Sequence, residues 1–541
     1  MEKLSPEQQK AALEYKEKGN ECFKKKQYHP AVSFYDLAIK SDPTQSIFYS
    51  NAAFCHLKLE AYQLALNNCD KAISIDNRNV KAYYRRALSY IGLMEYSKAK
   101  KDFKIVLKFK PKDDAALRGV ALVDRMIFQA NFEKALGADD DNGDSNSNGM
   151  RRLCETVLLS SFDGNSDITN YNGQELVLEH VTPENGGEYG NIEVTNMSQE
   201  FISFMVNELF LKGKKIPKKY AAGIISHVDS IVRKEPTLLE ISNADNPEVK
   251  ITVVGDTHGQ FYDVLNLFHK FGKVKQNHIY IFNGDFVDRG SWSCEVALLL
   301  YCLKILYPEH IYIIRGNHET DNMNKVYGFE DECKFKYSTR IFEMFSESFE
   351  SLPLCCVINQ NYIVMHGGLG HDPEVTLDDI RKINRFKQPP REGIFMELLW
   401  SDPRALDGLG PSQRGLGYAF GPDITAAFLK KNGLRKVFRS HEVRSGGVSY
   451  EHNNKLITIF SAPNYCDSEN NLGGVIHVVP GRGSTEPVKC VSDEKTFMPF
   501  GETTSGVICN DDADLAVEVF KAVKHPDLKP MAYCKNGGLG F

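Results

Sequence analysis

The 541-residue sequence predicts two domains in series: an all-α repeat domain over residues 8–130, then an α/β domain over 196–520 with a central β-sandwich flanked by helices. Three observations predict this. Tyr28, Tyr62 and Tyr96 recur at one fixed spacing, and so do Ala31, Ala65 and Ala99. Beyond residue 250, short β-branched runs (Ile251–Val254, Ile279–Phe282, Ile311–Ile314, Ile363–Met365) each end in a glycine-bounded polar motif, as buried strands do when they run into loops. Between the two, Ala138–Gly149 is Asp, Asn, Gly and Ser with no aromatic residue, which reads as an acidic linker.

The repeat spacing is ~34 residues, and it is kept at further positions: Gly19, Ala53 and Ala87, and Pro43, Asn77 and Pro111 at the repeat ends. Small residues at helix crossings with a stop at that period are the tetratricopeptide signature. One helix pair alone cannot bury its apolar face, so three pairs plus a capping helix stack around a groove. The first helices of the pairs are expected to begin near Tyr15, Tyr49 and Tyr83. Lys16 and Asn20 are four apart and share a helix face, as do Lys81 and Arg85. With Asn51 they offer three cations and two amides to a concave surface, a set suited to the carboxylates of a peptide C-terminus. These five residues resemble the two-carboxylate clamp of chaperone-binding tetratricopeptide domains. That resemblance implies a heat-shock chaperone peptide ending in Glu-Glu-Val-Asp as ligand.

Residues 137–195 hold the linker and a segment that fits several readings. Leu153, Val157, Leu158 and Leu159 suit a short helix, and Leu176–Val181 a short strand. Helical periodicity resumes at Phe201, Met205 and Leu209 and again over Ile224–Val232.

The strand-end motifs carry the chemistry. They read Gly255-Asp256-Thr257-His258-Gly259, Gly284-Asp285-Phe286-Val287-Asp288-Arg289-Gly290, Gly316-Asn317-His318-Glu319 and His366-Gly367-Gly368. Further along stand Leu399-Trp400-Ser401-Asp402-Pro403, Arg414-Gly415-Leu416-Gly417-Tyr418, Arg439-Ser440-His441-Glu442 and Ser461-Ala462-Pro463-Asn464-Tyr465. Asp, His and Asn delivered repeatedly to strand ends build a metal site on a rigid scaffold. Together and in order, these motifs resemble the metallo-dependent serine/threonine phosphoprotein phosphatases. With the repeats in front and His525-Pro526 to Tyr533 behind, the whole chain resembles the tetratricopeptide-containing members of that family.

Asp256 and His258 can face one cation, Asp285 can bridge two, and Asn317, His366 and His441 supply neutral ligands to the second. Oxygen and imidazole without thiolate suits manganese, iron, zinc or magnesium. The resemblance assigns these six residues as ligands of two divalent ions and favours manganese. Two metals ~3.5–4 Å apart lower the pKa of a bridging water that attacks phosphorus in line. No C-x5-R loop for a covalent phosphoenzyme and no G-x-x-x-x-G-K-[ST] phosphate cradle are present. His318 follows a metal ligand, so it is placed to protonate the leaving alkoxide, with Asp288 holding its tautomer. Arg289 and Arg439 are read as clamps on the remaining phosphate oxygens, and Tyr465 as a cap on the pocket. After His366–Leu369 the family's usual aromatic residue is replaced by Gly370, and Ser445–Val448 replaces an acidic-Gly-Tyr stretch.

The net charge of −6 argues against a nucleic-acid binder. Met1–Pro6 lacks a signal-peptide pattern, and the apolar stretch Val296–Leu303 is too short to span a bilayer. Thirteen cysteines without a C-x-x-C clip suit a reduced cytoplasmic, and also nuclear, setting. The expected function is therefore dephosphorylation of phosphoserine and phosphothreonine in proteins by a monomeric enzyme; the alternative is a metallophosphoesterase on a non-protein phosphoester. In phosphatases of this kind the repeats are thought to block the catalytic mouth. Glu60, before the second repeat's second helix, is the candidate phosphate mimic, and residues 521–541 are read as a regulatory tail.

Overall fold

The computed structural model describes residues 5–25, 27–135, 171–181, 191–372, 374–479, 506–509 and 514–534. The expected helix at Leu153–Leu159, the acidic linker and the chain end at Gly537–Phe541 lie outside the described residues. The chain divides into two compact units: Met1–Asp141 with Gly410–Ala419 and Lys535–Phe541, and Asn142–Leu409 with Phe420–Cys534.

The first unit is built on seven helices: α1 (Pro6–Lys24), α2 (Tyr28–Ser41), α3 (Ser46–Lys58), α4 (Tyr62–Ile75), α5 (Val80–Gly92), α6 (Tyr96–Phe109) and α7 (Asp114–Ala135). They form three pairs and a capping helix, as the period predicts. Ser5 and Gln8 close a capping box with Pro6 at the first helical position, so α1 starts well before Tyr15. Asn79 caps α5 by accepting from the Ala82 amide at 3.1 Å. The periodic tyrosines open α2, α4 and α6, and Ala31, Ala65 and Ala99 are fully buried at the crossings.

Aromatic rings lie against glycines in this unit, the periodic Gly19 among them. A Cβ on Gly92 would come within 2.5 Å of the Tyr62 ring, and one on Gly19 within 2.7 Å of Tyr35. Gly92 ends α5, where alanine gains little over glycine, whereas overpacking a buried ring costs about 1–3 kcal/mol. Gly92→Ala is therefore expected to lower the thermal midpoint of the helical signal in circular dichroism. An unchanged or raised midpoint would mean that Tyr62 can swing aside.

The second unit is a sandwich of two six-stranded sheets. The first runs, in spatial order, Gly506–Cys509, Leu515–Phe520, Gly473–Val478, Lys250–Val254, His278–Asn283 and Ile311–Ile314, the last three parallel. The second runs Val448–Glu451, Leu456–Ile459, Lys436–Arg439, Tyr362–Met365, Cys355–Ile358 and Leu238–Ile241. Ile251, Val253, Ile279, Ile281, Val364, Phe438, Ile457 and Ile476 fill the space between the sheets. Val254, Tyr280 and Phe282 point the other way, into a second core with helices such as Lys218–Val232 and Ser293–Leu306. Both faces of the strands are covered, which is why they read as unbroken apolar runs.

Leu178–Val181 is a strand paired with Asn191–Val194, close to the expected one. The periodic Phe201–Leu209 stretch is a short helix, Gln199–Phe204, continued by a π turn over Met205–Leu209. Val296–Leu303 lies inside a buried helix of the second core, and among the described residues no helix is long and apolar enough to cross a membrane.

Candidate metal centre and active site

All four early motifs lie where strands end: after Val254, Asn283, Ile314 and Met365. The loops then turn through backbone that side chains seldom adopt, with φ +42° at His258, +49° at Asp285, +67° at Asp288, +68° at Arg289 and +71° at His441. Strain of this kind persists where the surroundings over-determine it. Gly284 and Gly316 lie back to back, and a Cβ on Gly284 would stand 2.5 Å from the Gly316 backbone. Only glycine lets these two loops meet.

The structure brings the six expected ligands into one buried patch. The imidazole Nε2 of His258 lies 3.8 Å from Asp256 Oδ2 and 3.6 Å from Asp285 Oδ2. His366 Nε2 lies 3.3 Å from Asp285 Oδ2 and 3.0 Å from Asn317 Oδ1. The His441 backbone donates to Asp256 Oδ1 at 3.2 Å, and its ring lies 5.1 Å from that of His366. Asp256, Asp285 and His366 form one cluster able to hold a metal ion, and His258, Asp285 and His318 another, so Asp285 is common to both.

The donor set fits cations. His366 Nδ1 donates to the Asn283 carbonyl at 2.8 Å and His258 Nδ1 to the Val287 carbonyl at 3.1 Å. Those bonds leave the lone pair of each Nε2 facing the patch. The Asn317 amide oxygen therefore faces acceptors only: His366 Nε2 and both Asp285 oxygens, at 3.0–3.2 Å. A cation among them resolves that convergence, as does the amide turned so that its nitrogen donates to the same three atoms. Burial, and then the Asp285 charge beside it, push the Asp256 carboxyl up to about 8. Burial also holds His258 well below its ordinary range. Neutral imidazoles and crowded carboxylates are what a divalent ion needs.

Next to the patch, His318 Nδ1 meets Asp288 Oδ2 at 2.8 Å. Burial pushes the Asp288 carboxyl up to about 8, while amide donors from Phe329 and Asn324, each at 2.9 Å, pull it back. Arg289 lies with its guanidinium 3.9 Å over the Tyr327 ring. The Tyr465 ring lies 5.2 Å from that of His258.

Arg439 is a correction. It is fully buried and four of its five N–H donors are held within the fold: by Gly367 O at 2.7 Å, Glu442 Oε2 at 2.7 Å, Ser401 O at 3.0 Å and Asp402 Oδ1 at 2.8 Å. A clamp on phosphate would require it to leave these partners. Arg439 fixes the loop before His441 instead.

Two residues without a role in the sequence reading organise the loops. Glu319 is fully buried and accepts from the amides of Asp285 at 2.7 Å, Gly316 at 2.8 Å and Phe286 at 3.0 Å. Asn324 bridges Asp288 and the His318 carbonyl. An acid directly after the Asn-His pair was the available signal for Glu319. The Gly370 departure also has a physical cause. The Glu397 carboxylate, paired with His371, fills the space in which a side chain at 370 would begin.

In the first unit, Lys16 Nζ binds Glu17 at 2.7 Å, and Asn20 Nδ2 donates to the same carboxylate at 3.1 Å. Arg85 Nη1 donates to Ser50 O at 2.6 Å and reaches Asn51 Oδ1 at 3.4 Å. Lys81 is exposed on the first turn of α5. The described contacts thus join Lys16 with Asn20, and Asn51 with Arg85. Glu60, at φ +57°, has its Oε2 3.4 Å from Nη1 of Arg414, whose segment belongs to the same unit.

A Calcineurin-like phosphoesterase family matches residues 249–445, a PPP5 TPR repeat region matches 120–240 and a Tetratricopeptide repeat matches 80–113. The chain is 56% identical to Serine/threonine-protein phosphatase T of Saccharomyces cerevisiae over 98% of both chains. It is 39% identical to Serine/threonine-protein phosphatase 5 of Homo sapiens, over 97% of this chain and 94% of that one. A solved Saccharomyces cerevisiae phosphatase structure, described as similar to human phosphatase PP5, aligns with TM-score 0.57 and 64% identity over 62% of this chain and all of that one. Repeats, phosphoesterase fold and near full-length likeness agree: the chain belongs to the serine/threonine-protein phosphatases of the T/5 type.

Proposed function

We propose that this phosphatase hydrolyses phosphoserine and phosphothreonine in proteins by direct attack of water, under control of its repeats. One observation carries the reading: two buried clusters, Asp256–Asp285–His366 and His258–Asp285–His318, share Asp285, with Asn317 and His441 against them and Asp288 paired with His318. Two divalent ions, manganese by preference over iron, zinc or magnesium, supply when bound an activated water and charge neutralisation on the phosphoryl group. Asp256, His258 and Asp285 would hold one, and Asp285, Asn317, His366 and His441 the other. The chain does the rest. With His318 as the imidazolium and Asp288 as the carboxylate accepting from its Nδ1, the proton on the other ring nitrogen is the one passed to the leaving alkoxide, which leaves His318 neutral. Arg289 binds phosphate oxygens, and Tyr465 closes the pocket over His258. Side-by-side assay on a phosphoserine peptide and a phosphodiester tests the substrate class; preference for the diester would overturn it.

The repeats are proposed to read a carboxylate-ended chaperone peptide through Lys16, Asn20, Asn51, Lys81 and Arg85. Glu17 supports this, since its carboxylate already occupies Lys16 and Asn20 as a ligand carboxylate would. They are also proposed to restrain catalysis until that peptide binds. The support is Glu60, which pairs with an arginine of the Arg414–Tyr418 motif and so occupies a guanidinium suited to phosphate. Glu60→Ala is expected to raise basal turnover severalfold and to blunt activation by a peptide ending in Glu-Glu-Val-Asp; an unchanged basal rate would sink the idea. A monomer in cytoplasm and nucleus completes the reading.

A further inference from the structure

The segment Lys529–Cys534 lies against the loop that carries Arg289. Met531 N donates to the Arg289 carbonyl at 3.0 Å. Ser291 Oγ donates to the Lys529 carbonyl at 2.7 Å and accepts from Ala532 N at 3.0 Å. The Ser291 carbonyl accepts from Lys336 Nζ at 3.0 Å. Tyr533 then stacks on Phe335, with ring centroids 4.6 Å apart, and lies 5.0 Å under the Lys336 ammonium. From the other side, Arg289 N donates to the Tyr327 carbonyl at 3.1 Å.

Arg289 is thus fixed at both of its own peptide groups, its N–H by Tyr327 and its carbonyl by the tail. This matters because Asp288 and Arg289 are consecutive residues in the left-handed region, at φ +67° and +68°. Ordinary side chains stay there only when partners on several sides hold them. If the carbonyl tie is lost, the peptide after Arg289 is held only at its N–H, which Gly290 donates to the His258 and Asp288 carbonyls at 2.8 Å each, and it tilts about that side, carrying the guanidinium with it. The Tyr327 ring fixes only the face of that guanidinium, not its reach.

We propose that Lys529–Cys534 is a positioning strap that holds the Arg289 backbone so that its guanidinium meets the substrate phosphate. Ser291 is its buckle, because one hydroxyl satisfies two tail backbone groups. The proposal rests on the reading of Arg289 as a phosphate-binding residue. It runs opposite to a tail that only restrains catalysis, since loss of the strap slows the enzyme.

The test uses the full chain with Ser291→Ala, Ser291→Thr, Tyr533→Ala, Tyr533→Phe, Arg289→Ala and the double variant Arg289→Ala/Ser291→Ala. The readouts are KM for a phosphoserine peptide, the inhibition constant of inorganic phosphate, bound metal and thermal midpoint. Ser291→Ala and Tyr533→Ala are expected to weaken phosphate inhibition and raise KM about 10-fold, below the ~100-fold cost of a 1 Å misplacement, with bound metal unchanged. Ser291→Thr and Tyr533→Phe, which keep the hydroxyl and the ring, are expected to restore both. In the Arg289→Ala background, Ser291→Ala is expected to add nothing, because the two act through one group. Unchanged KM and phosphate inhibition in Tyr533→Ala, beside a weakened value in Arg289→Ala, overturns the strap alone. Unchanged phosphate inhibition in Arg289→Ala overturns the reading on which it rests. Tyr533 is on the surface side of the strap, so its variants serve even if Ser291→Ala does not fold.

Discussion

Asp285→Asn is expected to abolish turnover and empty the metal centre without unfolding the protein. Losing a second-shell partner of a metal ligand costs about 10–100-fold. Asp285 is common to both ligand clusters, so its loss is expected to exceed that range. The side chain also accepts the His318 amide at 2.9 Å, which fixes the loop of the proposed general acid. The stability effect has the opposite sign. Without cations, the Asp285 charge raises the Asp256 carboxyl, which is already burdened by burial. Removing that charge relieves the repulsion. In chelator the variant should therefore melt at or above the wild-type temperature, while mass spectrometry of the purified protein shows its metal lost. A variant that keeps two metals and turns over normally would contradict the assignment.

His318→Gln is expected to lower kcat on a phosphoserine peptide by about 10²–10⁴-fold, the usual range for loss of a positioned proton donor. The serine alkoxide is a strongly basic leaving group and needs that proton. Nitrophenolate is not, so turnover of p-nitrophenyl phosphate should fall far less. The comparison also separates two roles that geometry alone leaves together, because His318 lies in one of the possible metal clusters. A general acid leaves metal content intact in the variant. A ligand does not. Equal losses on both substrates, with metal missing, would make His318 a ligand.

Much of this was legible in the sequence for definite reasons. The strands at Lys250–Val254, His278–Asn283 and Ile311–Ile314 are covered on both faces, so they appear as continuous apolar runs, and the chemistry follows at their ends. The repeats were legible because Gly19, Ala53 and Ala87 recur as small residues, Ala53 and Ala87 fully buried and Gly19 pressed under Tyr35.

The misses have one physical origin: a sequence names a polar group but not its partner. Arg439 stands two residues before His441, an expected metal ligand, where a phosphate clamp is a natural reading, yet four acceptors brought in by the fold hold it. Glu319 works by collecting backbone amides from a loop 34 residues earlier in the chain, which no motif spacing reveals. Arg414 meets Glu60, 354 residues away in sequence, so its pairing became visible only in three dimensions.

The most direct test of the central claim is turnover of a phosphoserine peptide by metal-stripped full-length protein titrated with manganese. The account predicts no turnover after stripping and full recovery at two equivalents of metal per chain. Undiminished turnover after complete removal of metal would contradict it.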